Sequence, residues 1–289
     1  MDYLVRGVTT DGEFRFAAST TTGLSNEARR RHETENGATK VLGETLTAAT
    51  LLATQLKGDE KISLQITGNG PLRMVLVDVD SDGNVRGFVA NPQVVAELPP
   101  LGDAGLVSVM RSTPLELLQR GTVPLAAGDV ATDVGAFLTQ SEQALSAMAL
   151  TSEIAPDRSL AHAGGILLQA LPGASIEKFA AYRAVLEHPA LRARILAEPA
   201  PEMMVETLMN AVTHESPYEL LSKTELRFQC ACSREKVAEM IRILGKDEIA
   251  KMRDEDGQAE VTCRFCNQVY VLDRAELGVL LATMDSRAN

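Results

Sequence analysis

FQCACSREK at residues 228–236 and VTCRFCNQVY at residues 261–270 hold all four cysteines of the chain. Cys230 and Cys232 form a C-x-C pair, 30 residues intervene, and Cys263 and Cys266 form a C-x-x-C pair. Two closely spaced thiol pairs fit either one metal ion or two short disulfides, and redox conditions choose between those states. Four thiolates make a favourable tetrahedral shell for zinc, because sulfur is a soft donor and the ion imposes little geometry of its own. All four would be consumed, which leaves no open position for a substrate. A packed thiol cluster and an iron-sulfur site compete for the same pattern, and a purely structural zinc ribbon is its plainest form.

The surroundings of the cysteines offer limited apolar packing. Phe228 precedes the first pair, Phe265 lies inside the second, and Val269, Tyr270, Val271 and Leu272 follow. Between the pairs a helix is expected from Ser233, whose hydroxyl caps it, with Val237, Met240, Ile241 and Leu244 on its apolar side. Glu235, Lys236, Glu239 and Arg242 form a solvated face. Such a tail owes on the order of 10 kcal/mol of its folding free energy to a bound metal. Once one thiol becomes sulfenic acid its neighbour can close a local disulfide, and each disulfide removes two metal-binding thiolates. Metal loss and unfolding are then coupled.

Upstream the chain is long enough for one large domain ahead of this tail. With 45% hydrophobic residues but no Trp, four Tyr and seven Phe, its core must come from Leu, Val, Ile, Ala and Met. Residues 3–8 and 13–18 alternate around a turn at Thr10, Asp11 and Gly12, which reads as a hairpin. Residues 38–56 carry helical spacing and exit at Lys57-Gly58. Residues 62–66, 72–79 and 85–89 form an antiparallel meander with that helix available to cover one face. Residues 106–110 and 122–125 read as strands, 129–149 as a helix, and 164–171 as a buried strand ended by Pro172-Gly173. Short helices at 176–186, 191–196 and 203–212 are interrupted by prolines, and this segment packs on the large domain or connects it to the tail.

Several features exclude other functions. Gly68-Asn69-Gly70 lacks the later glycine and the strand-to-helix setting of a dinucleotide site, so it reads as a turn. There is no G-x-S-x-G elbow, and Ser141-Glu142-Gln143 reads as a helix start or surface feature. His32, His162, His188 and His214 are isolated in sequence and read as structural or solvent-facing. The many carboxylates define no acid-base pair without a shared pocket. The formal charge of -11 disfavours nucleic acid and anionic membranes as general partners. MDYLVRGVTTDGEFRF at residues 1–16 has no basic-then-apolar leader, and no run reaches membrane-spanning length, so a soluble cytoplasmic protein with reduced thiols is expected.

On these residues the chain resembles the heat-shock protein 33 family of redox-regulated holdase chaperones. The resemblance rests on residues 228–236 and 261–270 with Glu255-Asp-Gly257. It runs on through Leu56-Lys-Gly-Asp-Glu60, Gly68-Asn-Gly-Pro71, Val85-Arg-Gly-Phe88, Ser141-Glu-Gln143, Ala163-Gly-Gly165 and Leu171-Pro-Gly173. It implies an α+β fold with an N-terminal mixed sheet and helix domain (1–175, substrate-binding), a helical linker (176–226) and a small C-terminal zinc-binding redox switch (227–289). It implies that Cys230, Cys232, Cys263 and Cys266 bind one zinc ion per reduced chain, and that oxidation joins 230 to 232 and 263 to 266. It implies an ATP-independent, non-enzymatic chaperone that needs no nucleotide. The expected partners are unfolded or aggregation-prone clients, a second copy in an oxidised homodimer, and downstream chaperones, with no membrane and no specific nucleic acid. Residues 101–106 depart from the family's usual Gly-x-Gly-x-Leu turn. A thiol oxidoreductase and a zinc-dependent nucleic-acid-binding module are the alternatives: the first needs an accessible low-pKa cysteine that turns over, the second a local basic surface.

Overall fold

The computed structural model describes residues 1–95, 99–212 and 217–286. The chain divides into two compact units, Met1–Gln229 and Cys230–Asn289. In the first, the elements follow as β1 (Tyr3–Thr9), β2 (Phe14–Thr20), α1 (Thr22–His32), α2 (Asn36–Leu52), β3 (Lys61–Gly68), β4 (Met74–Asp80), β5 (Asn84–Val89), β6 (Gly105–Ser112) and β7 (Leu117–Pro124). There follow α3 (Val130–Ser141), β8 (Ser146–Ile154), β9 (Leu160–Ala170), α4 (Ile176–Glu187), α5 (Pro189–Leu196), α6 (Pro201–Val212), β10 (Tyr218–Glu225) and β11 (Arg227–Phe228). One sheet runs β10-β1-β2-β9-β8 and the other β11-β5-β4-β3-β6-β7. Every pairing is antiparallel except that of β11 with β5.

Helix α2 lies between the two sheets, touching β2, β8 and β9 on one side and β3, β4 and β5 on the other. The meander therefore has its covering helix, and that helix is itself covered by a second sheet. Leu42, Leu46, Ala48, Ala49 and Leu51 are all within 1% of full burial. Small residues let both sheets approach, and buried threonines satisfy their hydroxyls locally: Thr45 donates to the Val41 carbonyl at 2.7 Å and Thr47 to that of Gly43 at 2.9 Å. Thr21 and Thr50 extend this polar seam, at 2.6 Å from Thr47 and 3.2 Å from Ser19 respectively.

Helices α4 to α6 cover the outer face of the first sheet. Phe179, Tyr182, Leu186, Ile195, Met204 and Leu208 are buried with Val5, Phe14, Phe16, Ile166 and Leu168 of the strands. Tyr182 meets the edge of Phe14 with ring centroids 5.4 Å apart. Each such side chain contributes roughly 1.5–3 kcal/mol on burial, so this cover is held mainly by apolar area. The expected packing of the proline-punctuated segment on the large domain is thus observed. Pro189 opens α5 and Pro201 opens α6, where a missing N–H costs nothing.

Four expectations change. Of the segment 176–226, expected as a helical linker, Tyr218–Glu225 is instead strand β10, paired antiparallel with β1 at the edge of the first sheet. The helix expected over 129–149 stops at Ser141, and Ser146–Ile154 is strand β8, whose Ala147 and Ala149 face Leu168 and Ile166 of β9. A short apolar run satisfies helical and strand periods alike, and the pairing with β9 decides it. Ser141-Glu142-Gln143 accordingly ends a helix, with Gln143 in the left-handed region at φ 54°. Phe228, read as packing for the cysteine tail, belongs to the first unit: it pairs with Val85 through β11, beneath the Arg31 guanidinium at 5.0 Å.

The Gly68-Asn69-Gly70 turn has a structural reason. A Cβ on Gly68 would lie 1.9 Å from the Leu101 carbonyl oxygen, and one on Gly70 2.4 Å from the Gly102 nitrogen. Asn69 Oδ1 accepts from the Asp103 and Ala104 amides at 3.1 and 3.2 Å, so the atypical 101–106 segment is clasped by this turn.

Glu44 on α2 is the ionisable group most affected by the sandwich. Burial pushes its carboxyl from the ordinary 4.5 up to about 7; Asp129 adds to this, while Lys40, 4.0 Å away, and Arg192 oppose it. Between pH 4.5 and 7 the folded state therefore binds the proton that the unfolded state has lost, and stability falls as pH rises through that window. Glu44→Gln is expected to raise unfolding free energy at pH 8 by up to roughly 3 kcal/mol and to change it little at pH 4. Denaturant unfolding at the two pH values measures the difference.

Candidate metal centre

The second unit contains α7 (Arg234–Arg242), α8 (Lys246–Lys251), β12 (Gln258–Thr262), β13 (Val269–Asp273) and α9 (Arg274–Ser286). Its core is small: Val237, Ile241, Ile249, Ala259, Leu272, Leu277 and Leu280 are its buried apolar residues. Ser233 caps α7, accepting from the Lys236 amide at 3.3 Å. Only part of the expected apolar stripe is used. Val237 and Ile241 are buried, whereas Met240 and Leu244 are 60% and 53% exposed, because so small a core receives one narrow row.

The two cysteine pairs come from different structural elements. Cys263 and Cys266 occupy the loop of the β12–β13 hairpin, closed by the Asn267 amide on the Cys263 carbonyl at 2.8 Å and the Cys263 amide on the Gln268 carbonyl at 3.0 Å. Asn267 takes the left-handed conformation at φ 57°, which asparagine tolerates. Cys230 and Cys232 lie in the extended segment before α7. Sγ of Cys230 is 3.7 Å from that of Cys263, and Sγ of Cys232 is 3.3 Å from that of Cys266. All four sulfurs lie within 4.8 Å of one another, and all are free thiols.

This spacing fits a shared ion. Zinc–sulfur bonds of about 2.3 Å in a tetrahedron place sulfurs about 3.8 Å apart, whereas a disulfide needs about 2.0 Å. Burial pushes the Cys266 thiol up. Burial acts the same way on Cys232, but the Tyr270 hydroxyl at 3.1 Å and the neighbouring thiols outweigh it and lower that thiol to about 7. The bond to Cys232, aided by burial, raises Tyr270 itself to about 12. A cluster with one readily ionised thiol suits metal capture, since only the thiolate is a ligand.

The frame around the cluster rests on Arg234. Its Nε donates to Glu276 Oε1 at 2.8 Å, and its Nη2 to Glu276 Oε2 at 2.6 Å and the Val271 carbonyl at 2.5 Å. Asp273 and Glu276 exchange side-chain-to-amide bonds, both at 2.9 Å, forming a capping box at the start of α9. Tyr270, expected as packing, is a hydrogen-bond donor to Cys232, and no local pattern pairs Arg234 with Glu276; D-x-x-E at 273–276 signals the capping box alone.

Among the described residues, the four cysteines are the His/Cys/Asp/Glu group close enough to share an ion. His32 stacks near Phe88 with ring centroids 6.5 Å apart, His162 lies in β9, His188 precedes α5, and His214 lies outside the described residues. Among those residues no helix is long and apolar enough to cross a membrane.

A two-sheet α+β body, a helical middle region and a small unit organised around four converging thiols define an oxidation-sensitive, metal-binding class of protein. The model of the family described as Hsp33 protein matches residues 2–273. The 33 kDa chaperonin of Bacillus licheniformis is 37% identical, over 97% of this chain and 99% of that protein, and that of Bacillus subtilis 35%, over 96% and 97%. The solved structure of the Thermotoga maritima 33 kDa chaperonin superposes with a TM-score of 0.88 at 29% identity, covering 98% of this chain and 99% of that one. The chain belongs to the Hsp33 family. Its function is that of a redox-regulated, ATP-independent holdase chaperone, and it is not an enzyme.

Ser233→Ala removes the α7 cap beside the cysteine pair. The second unit should lose about 1 kcal/mol, read as faster amide exchange in α7 with the first unit unchanged.

Proposed function

We propose that Cys230, Cys232, Cys263 and Cys266 hold one zinc ion per reduced chain as four thiolates, and that oxidation of this centre is the switch that activates the chaperone. The observation that carries the reading is the convergence of all four sulfurs within 4.8 Å at the spacing of a tetrahedral site. When bound, zinc supplies the cross-link that the small core of this unit needs. One hydrogen peroxide per cysteine pair takes two electrons and, with two protons, leaves as two waters. The paired sulfurs, 230 with 232 and 263 with 266, become disulfides and no longer act as thiolate ligands.

The functional division we propose is a substrate-binding core at 1–175, a linker at 176–226 and a redox switch at 227–289. Loss of the metal unfolds the switch and frees the linker, whose α4–α6 helices bury Phe179, Leu186, Met204 and Leu208 on the first sheet. Uncovered apolar surface then binds unfolding or aggregation-prone clients that share no sequence motif. An oxidised homodimer and transfer of clients to other chaperones belong to the same reading. So does residence in the cytoplasm, where thiols are kept reduced, without a membrane, specific nucleic acid or nucleotide as partner.

The test pairs zinc release with suppression of client aggregation in purified protein without nucleotide, following amide exchange in parallel. Peroxide should release one zinc per chain, raise exchange across 176–212 and 230–270, and switch on aggregation suppression. Client binding with exchange in both regions at the reduced level defeats the coupling. A second measurement isolates the ligands: Cys232→Ser and Cys263→Ser should each weaken zinc retention at least about tenfold, since loss even of an outer-shell partner costs that much. Unchanged retention in both removes the ligand assignment.

A further inference from the structure

The first unit contains a cavity of about 460 Å³ walled by β1, β2 and β9, the segment after α2, and single residues of β6 and β10. Four of its lining side chains are cationic, Arg6, Arg15, Lys57 and Arg111, and no carboxylate lines it among the described residues. In a chain of formal charge -11 this is a local reversal of sign.

Two of these cations are fixed by the protein. Arg6 donates through Nε to Ser222 Oγ and through Nη1 to the Thr54 carbonyl, both at 2.8 Å. Arg111 donates through Nη2 to the Gln55 carbonyl at 2.8 Å and through Nε to Glu60 at 2.8 Å. Cations are favoured beside carbonyls at a helix C-terminal end, so a structural role accounts for this pair. It does not account for the other two. Arg15 is held at Nε by Gln169 Oε1 at 2.9 Å, and Gln169 is itself 2% exposed and tied to Ser146 Oγ at 3.0 Å. Among the described residues neither Nη group of Arg15 nor the Lys57 ammonium has a protein acceptor. Glu142, which burial holds above the usual carboxylate range, feels Arg15 and Arg111 but lines the smaller cavity alongside.

A half-buried guanidinium aimed by a buried glutamine, with its Nη donors facing an open cavity, is placed to receive an anion. A tetrahedral dianion brings three acceptor oxygens and up to two charges to such a cluster, against two oxygens and one charge for a carboxylate. The volume lies in the range of small-molecule sites, about 300–1,000 Å³, beyond what a bare anion fills, and Phe16 and Leu56 supply apolar wall. We propose that this cavity binds a small organic phosphate, its phosphoryl group on Arg15 and Lys57 with Arg6 and Arg111 at its edge, and its carbon body against Phe16 and Leu56. The site uses none of the four cysteines and stands apart from the redox reading.

Calorimetric titration of the reduced full chain with phenyl phosphate tests it, with inorganic phosphate and phenol as controls. Phenyl phosphate should bind saturably and more weakly as salt is raised; inorganic phosphate should bind less tightly and phenol not at all. Arg15→Gln and Lys57→Glu should each weaken phenyl phosphate at least about tenfold, the effect of losing one charge-assisted hydrogen bond. Lys57 is exposed in a turn, so Lys57→Glu keeps the test valid if Arg15→Gln misfolds. No saturable binding up to about 10 mM at low salt, or equal affinity in Lys57→Glu, overturns the site. Inorganic phosphate binding as tightly as phenyl phosphate overturns the assignment of an organic ligand.

Discussion

Four sulfurs gathered within 4.8 Å are the constraint on which the C-terminal unit depends. The apolar area around them is small, and the residues that build it, such as Val237, Ile241 and Leu272, come from short elements that nucleate poorly alone. The ties that close the unit, the Arg234–Glu276 pair and the 273–276 capping box, are exposed and individually worth little. On the proposed reading, an ion shared by the thiols would supply the cross-link that this small core lacks.

The N-terminal unit is built on the opposite balance. Helix α2 is enclosed by two sheets, its threonine hydroxyls are satisfied by its own turns or by residues packed against it, and its aliphatic side chains are buried. Such an interior does not answer to the redox state of any cysteine, because it contains none. Between these extremes stand α4 to α6, which bury apolar side chains on the outer face of one sheet while most of their remaining surface meets solvent. Surface that is apolar enough to bind a client and attached on one side only is the part of the fold best suited to being uncovered.

The cysteine centre and the regular elements were largely legible in the sequence. A C-x-C and a C-x-x-C pair have few uses that consume all four thiols, and the alternation at 62–66 and 85–89 and the helical spacing after Ala38 each signal one period clearly. Misreading set in where local pattern carried no unique answer. Residues 146–149 satisfy helix and strand alike, and β10 has a largely exposed face whose pairing with β1 lies more than 200 residues away in sequence.

The sequence by itself determined that four thiols stand as two close pairs, that the chain is α+β with a helical middle region, and that the family is that of the redox-regulated chaperones, because spacing, period and motif are local properties. Tertiary structure alone decided that Phe228 serves the large unit and not the thiol cluster, that Tyr270 donates to Cys232, and that Arg6, Arg15, Lys57 and Arg111 share one cavity. Those facts arise from strand register and from side chains brought together across long stretches of chain, and no local pattern encodes a distance between residues that meet only when the sheets close.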